Sequence, residues 1–257
     1  MAKRDRPTRL ASLGATLLAA LVLAACGSGG GDEGRSDPSA ARAMKTAGER
    51  TRAAHNARFE LTLDAGPQVD LTMKGATSTD EDAMSGTIDF GATPGAPPPG
   101  TRFVARDETF WFKYKGEDRW VKPATDPNDP SASTDLATSL RSLGATTQDA
   151  RVDGHETVRG QRSTRYSATL DLKKFRDTLP PEEREDYNRG LERFHLSRLP
   201  TTVWVGDDGL IRRFRFEIDL SKVPRAGSAK LVAVFELFDH GHARPATPPA
   251  PEDTIEQ

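Results

Sequence analysis

Residues 213–220 read RFRFEIDL, and this short run narrows the choice of fold more than any bulk property does. Phe214, Phe216, Ile218 and Leu220 alternate with Arg213, Arg215, Glu217 and Asp219. A helix, with a period of 3.6, would scatter both sets around its circumference. Only a strand, with a period of two, sorts them onto opposite faces. One face must be buried and the other wet, which is the pattern of an antiparallel sheet covered on one side. Asp208-Gly209 joins this run to PTTVWVG before it, and an Asp-Gly pair between two such runs marks a hairpin.

The same period recurs upstream. ARFELTLDA sets Phe59, Leu61 and Leu63 on one side, QVDLTMKG does so with Val69, Leu71 and Met73, and MSGTIDF with Met84, Ile88 and Phe90. After the Pro/Gly loop GATPGAPPPG come RFVAR, TFWFKY and RWVK as further strands. TVRGQRSTRYSATLDL reads as strand, turn at Gly160 and strand, with Tyr166, Ala168 and Leu170 together. SAKLVAVFELFDHG closes the series as a strand apolar on both sides. Helical spacing is confined to three places. DPSAARAMKTAGERTRAAHN has Asp37 as cap, Pro38 at the first position and Asn56 as its end. TDLATSLRSLG groups Leu136, Leu140 and Leu143. DLKKFRDTLPPEEREDYNRGLERF breaks at Pro180-Pro181, with Leu172, Phe175 and Leu179 inward in one piece and Tyr187, Leu191 and Phe194 in the other. The expectation is an α+β fold of about 10–11 mostly antiparallel strands, with a helix before the sheet and helices inserted in its later half. The Pro-rich stretch 241–257 is expected to be disordered.

The N-terminus carries a different signal. Lys3, Arg4, Arg6 and Arg9 precede Leu10–Ala25, sixteen residues without a charge. A cationic start, a short apolar run and small residues at its end describe a secretory signal. As a helix this run rises about 24 Å, short of the roughly 30 Å hydrocarbon core. Leu23-Ala24-Ala25-Cys26 resembles the lipobox of bacterial lipoproteins. The resemblance implies cleavage of residues 1–25 and a diacylglycerol on Cys26, the single cysteine of the chain. Residues 26–37, GSGGGDEGRSD after the Cys, read as a flexible tether, and 38–240 as the folded domain. The expected place is the extracytoplasmic face of the cell membrane, held there by Cys26. Gly29-x-Gly31-x-x-Gly34 matches a dinucleotide fingerprint as a string, but no strand precedes it and no helix follows closely, so it carries no such meaning.

Little in the chain points to chemistry. Removing residues 1–25, which hold four cations and one acid, takes the net charge from −2 to −5, so there is no basic excess for nucleic acid. Nucleophile-elbow, P-loop and zincin patterns are lacking, and neither a cofactor nor an enzymatic activity is expected. His240-Gly241-His242 puts two imidazoles on one strand face, a pair that reads as an exposed strand end before it reads as a metal site. Glu182, Glu183, Glu185 and Asp186 suit the positive end of a helix rather than acid–base catalysis. The aromatic residues at alternating strand positions fit two readings: a plain core, or an apolar cavity that the core only partly fills.

Taken in order, the lipobox, tether, helix, RFELTLD, meander strands, DGHETVRGQRSTRY (Asp153–Tyr166), inserted helices and LPTTVWVGDDGLIRRFRF (Leu199–Phe216) resemble the LppX/LprG-type lipoproteins of actinobacteria, a group of LolA-like half-barrels. The resemblance spans about Ser39 to Asp239. It implies a strongly curved antiparallel sheet with helices on its concave side, an apolar lumen, and an acylated lipid or glycolipid as cargo. It implies no catalytic residues. On this reading the lumen is lined by Phe112, Tyr114, Val203, Val205, Phe214, Phe216, Ile218 and Phe235, and the partners are the membrane and an acyl-chain lipid. The alternative is a non-catalytic envelope scaffold or sensor in which the half-barrel core is filled.

Overall fold

The computed structural model describes residues 37–256 apart from 67–69, 92–97, 108, 124–139, 141–142, 144–145, 180, 182–183, 194–195 and 222–229. Cys26, the signal 1–25 and nearly all of the tether therefore lie outside the described residues, as do Val69, Leu136, Phe194 and His195. Helix α1 (Pro38–Ala53) begins at its sequence cap: Asp37 is extended, and its Oδ1 accepts the Ser39 N–H at 2.7 Å. It ends sooner than Asn56. His55 takes the left-handed turn with φ 63°, beside the Asp80 carboxylate at 2.5 Å, and Asn56 already opens the first strand.

Twelve strands follow: β1 (Asn56–Asp64), β2 (Asp70–Ser78), β3 (Ala83–Asp89), β4 (Thr101–Arg106), β5 (Thr109–Lys113), β6 (Trp120–Lys122), β7 (Thr147–Val158), β8 (Gln161–Asp171), β9 (Arg198–Gly206), β10 (Ile211–Asp219), β11 (Lys230–Phe238) and β12 (Thr254–Glu256). They form one open sheet in the order β12-β6-β5-β4-β3-β2-β1-β11-β10-β9-β8-β7. Two meanders, β1–β6 and β7–β11, are thus joined where β1 pairs with β11. Helices α2 (Leu172–Thr178) and α3 (Arg184–Arg193) interrupt the second meander between β8 and β9. Asp171 caps α2 by accepting the Lys173 and Lys174 N–H groups at 3.1 Å, and the Phe175 and Tyr187 rings meet at 5.3 Å.

Two expectations need correction. Strand β7 starts at Thr147, ten residues before the alternation becomes readable. Its register slips between Gln148 and Arg151 and again between Val152 and Gly154, and each bulge inverts the period-two signal. The stretch 241–257 is not disordered over its described residues, and the folded domain does not close at 240. Gly241 N–H donates to the Asn56 carbonyl at 2.7 Å and Ala246 N–H to Ser85 Oγ at 2.7 Å, after which β12 pairs parallel with β6. A composition rich in Pro and poor in apolar residues measures the capacity for side-chain burial. This segment is held instead by backbone bonds to a sheet edge that would otherwise stand unpaired.

The register shows which residues share a face. Tyr166, Val203, Phe214, Phe235, Leu61, Met73 and Ile88 form one continuous cross-strand row from β8 to β3. In the neighbouring row, Phe59 faces Gly75, Gly75 faces Gly86, and Gly86 faces Phe103. Three strand spacings separate Phe59 from Phe103, roughly 14 Å in a flat sheet. Their ring centroids nevertheless stand 6.4 Å apart, so the sheet bends toward this face over the two glycines. Only glycine fits there: a Cβ on Gly75 would lie 1.8 Å from the Ser85 carbonyl oxygen.

The opposite face carries the charges of the same strands. Glu60 and Glu236, adjacent on β1 and β11, are bridged by Arg159, whose Nη2 and Nε approach them at 2.5 and 2.6 Å. Arg213 Nη2 reaches Glu236 at 2.6 Å, and Lys74 Nζ reaches Glu60 at 3.1 Å. Burial raises the pKa of the Glu60 carboxyl, but hydrogen bonds and charge from Arg159 and Lys74 outweigh it and hold the group below its ordinary value.

Candidate apolar binding face

Helix α1 lies on only part of the apolar face. Its Ala40, Met44 and Ala47 join Leu140, Leu143, Ala150, Ala168, Val203, Val205 and Ile211 in one buried cluster. The small residues on α1 bring it close to its neighbours: a Cβ on Gly48 would lie 2.5 Å from the Leu140 carbonyl oxygen. Thr51 locks the end of α1 to β10, accepting the Ile211 N–H at 2.8 Å and donating to the Ala47 carbonyl at 2.7 Å.

Seven of the eight residues expected to line a lumen share this face, Tyr114 lying just past the end of β5, and the eight fall into two groups by burial. Val203, at 0% exposure, and Val205 are core beneath α1. Phe235 is also buried, stacked on Phe59 at 5.6 Å and tilted against Phe214 at 5.2 Å. Phe112, Tyr114, Phe214, Phe216 and Ile218 are half-buried. Beyond α1 the register runs Phe216, Ala233, Leu63, Leu71, with Ile218 opposite Leu231 alongside. Five of these six (Phe216, Leu63, Leu71, Ile218 and Leu231) are half-buried and together make a continuous apolar surface that still meets solvent; Ala233 beneath them is buried. Leu63, Leu71 and Leu231 were not among the expected lining, although the alternation that selects Phe216 selects them too. They become part of the surface only because β1 and β11 pair, a long-range contact that no local pattern announces.

A cavity of about 610 Å³ lies on the opposite face and is lined by charged residues such as Arg58, Glu60 and Lys74. A void of about 10 Å³ near the end of α1, between Thr51, Ala57, Leu140 and Leu237, holds one water at most.

Burial pushes the Tyr187 phenol up to about 12, which marks a small core between α2 and α3 rather than a proton carrier. The pKa of His240 is lowered, first by burial and then by the charge of Arg212, whose Nη1 lies 3.0 Å from its Nδ1. Among the described residues no cluster of three His, Cys, Asp or Glu side chains is arranged to hold a metal ion, and none of the helices is long and apolar enough to cross a membrane.

Comparison with known proteins places this arrangement. Residues 38–232 match the family model described as LppX_LprAFG lipoprotein. The chain is 28% identical over 206 residues to proteins named lipoarabinomannan carrier protein LprG from Mycobacterium tuberculosis (strain ATCC 25618 / H37Rv) and Mycobacterium bovis (strain BCG / Pasteur 1173P2), covering 78% of this chain and 81% of each relative. Among solved structures, LprF from Mycobacterium bovis superposes with a TM-score of 0.53 at 19% identity, covering 85% of this chain and 99% of that one. The Mycobacterium tuberculosis lipoprotein LppX does so at 0.52 and 14%, covering 82% and 99%. At such identities the likeness concerns the fold: a large curved open sheet with few helices.

Proposed function

Since the chain belongs to the LppX_LprAFG lipoprotein family, we propose that it takes up the acyl chains of a lipid or glycolipid on the face that bears α1 and carries them through the cell envelope. The observation that carries this reading is the apolar surface of Phe216, Ile218, Leu63, Leu71 and Leu231, half-open to solvent in a chain otherwise rich in charge. The carrier name of the LprG relatives supports it. Phe112, Tyr114, Phe214, Phe216, Ile218 and Phe235 are assigned to acyl contact on the concave side. Val203 and Val205 are the floor beneath α1, lining the site only where it runs under the helix.

The mechanism is transfer between apolar surroundings, with no covalent step. Each methylene leaving water gains about 0.8 kcal/mol, but a chain leaving a bilayer for this face gains little. Exchange is therefore near balance and reversible, as carriage requires. Part of the reading is that the protein works at the outer surface of the cell membrane, held by a diacylglycerol on Cys26. Two acyl chains anchor stably where one does not.

One observation favours the filled-core alternative for one half of the sheet: Phe59 and Phe103, at 0% and 1% exposure, close the face across Gly75 and Gly86. Native mass spectrometry of protein purified from its own host tests both readings. The expected result is a bound acylated lipid that Phe216→Ser and Ile218→Ser remove. Repeated recovery of lipid-free protein would leave the scaffold or sensor reading standing. Cys26→Ala is expected to move the protein from the membrane fraction to the soluble one.

A further inference from the structure

On the face away from α1, the cavity of about 610 Å³ gathers cations from four separate stretches of chain: Arg58 on β1, Lys74 on β2, Arg159 at the β7–β8 turn and Arg244 in the segment after β11. Its volume falls in the usual range for small-molecule sites, roughly 300–1,000 Å³. Glu60 is the one carboxylate in its wall among the described residues, and Arg159 and Lys74 occupy it at 2.5 and 3.1 Å. Arg159 is anchored in place, since its Nε donates to Glu236 as its Nη2 does to Glu60 and its guanidinium stacks 4.1 Å from the Phe238 ring centre. It builds the wall and does not reach for a ligand.

The remaining cations are less committed. Among the described residues Arg58 pairs only with Asp239, at 3.4 Å, with both side chains more than half exposed. Lys74 keeps two of its three N–H donors beyond Glu60. Arg244 makes no ion pair among the described residues. The whole chain is acidic, with net charge −2, so this concentration of positive charge runs against its average.

We infer that this cavity binds a phosphate ester. The phosphate oxygens take Arg58, Lys74 and Arg244, whose planar and point-charge donors suit its several acceptors. A bare phosphate leaves most of the volume empty, and the space toward Glu60 and His242 accepts hydroxyl groups of a small polyol. Soluble phosphate esters and phospholipid head groups share this chemistry. The site stands apart from the acyl-chain reading, because the sheet separates the two faces.

The test titrates full-length protein in a Cys26→Ala background, so that vesicle binding reads the cavity and not the anchor. The probes are glycerol 3-phosphate by calorimetry, and vesicles of phosphatidylcholine with and without phosphatidylglycerol by sedimentation. The expected result is saturable binding of the soluble ester, weakened about tenfold or more by Arg58→Gln with Arg244→Gln, the effect of losing a charge-assisted contact. Lys45→Gln, an exposed cation on α1, is expected to change nothing. Binding to phosphatidylglycerol vesicles alone, lost in the double variant, also supports the site and identifies a membrane head group as the source. Binding equal in wild type, double variant and Lys45→Gln, or no binding to either probe, overturns it.

Discussion

Strand β10 passes from one kind of environment to another within nine residues. At its start Ile211 is at 0% exposure beneath α1, beside Val203 at 0%. Toward its end Phe216 and Ile218, which share that face only because the register shifts between Ile211 and Arg213, remain half-buried. Side-chain chemistry does not separate the two ends, since both are large and apolar. What lies above them does. A buried end adds to stability, whereas an end left half-open keeps apolar surface available for a ligand and gives up the stability that covering it would bring.

That contrast can be broken from either side. The largest effect is expected at the covered end: Val203→Asp places a charge where no water or partner reaches, and should cost about 4 kcal/mol or more. Thermal unfolding measures it, and a melting curve like the wild type would show that the covered end is not core. Gly75→Val comes next, at about 3 kcal/mol, because its Cβ collides with the Ser85 carbonyl and β2 and β3 must part. Denaturant unfolding reads this loss, and a milder Gly75→Ala should still show most of it, since the clash begins at the Cβ.

Phe216→Ser at the open end should cost only about 1–2 kcal/mol while lipid recovery falls to background. A large fall in stability without loss of lipid would reverse the assignment of the two ends. On the charged face, Arg159→Ala leaves Glu60 and Glu236 facing each other, for a loss of about 1 kcal/mol in guanidine-free melts at low salt. Salt should shrink the difference between variant and wild type.

The smallest expected effect is in pH dependence. The pKa of His240 is lowered in the folded protein by burial and by Arg212. As pH falls below its ordinary value of 6.5, the unfolded chain takes up a proton that the folded chain refuses, so stability declines. Above that value the contribution is flat. His240→Gln should flatten the decline between neutral pH and pH 5, leaving the steeper acid loss from Glu60 and other low-pKa carboxylates at still lower pH. An unchanged profile in the variant would assign the whole decline to other groups.

Much of the sheet was legible because period two is a local property. The β9–β10 hairpin turns at Asp208-Gly209 as expected, with Gly209 at φ 77°. Asp37 and Asp171 cap their helices as side chains of that kind do. The bulges of β7 were not legible, since an extra residue inverts the very signal that reveals a strand. The edge strand β12 was hidden for another reason: its bonds are backbone bonds to β6, and composition is silent about them. The candidate site was half legible. Alternation chose a face and eight residues on it, but not the division between Val203 under α1 and Phe216 outside it.

Residue order alone makes RFRFEIDL a strand with one wet face, sets a hairpin before it, and gives Leu23-Ala24-Ala25-Cys26 its resemblance to a lipobox. Each is a property of a few consecutive residues, set by backbone period, turn chemistry or a short motif. What α1 covers, where Phe59 and Phe103 close over two glycines, and which charges meet around Arg159 emerge from the folded chain. Those outcomes depend on pairings between residues far apart in the chain. Whether an apolar side chain becomes core or an open binding surface follows from what the rest of the fold sets above it, and no local period can carry that information.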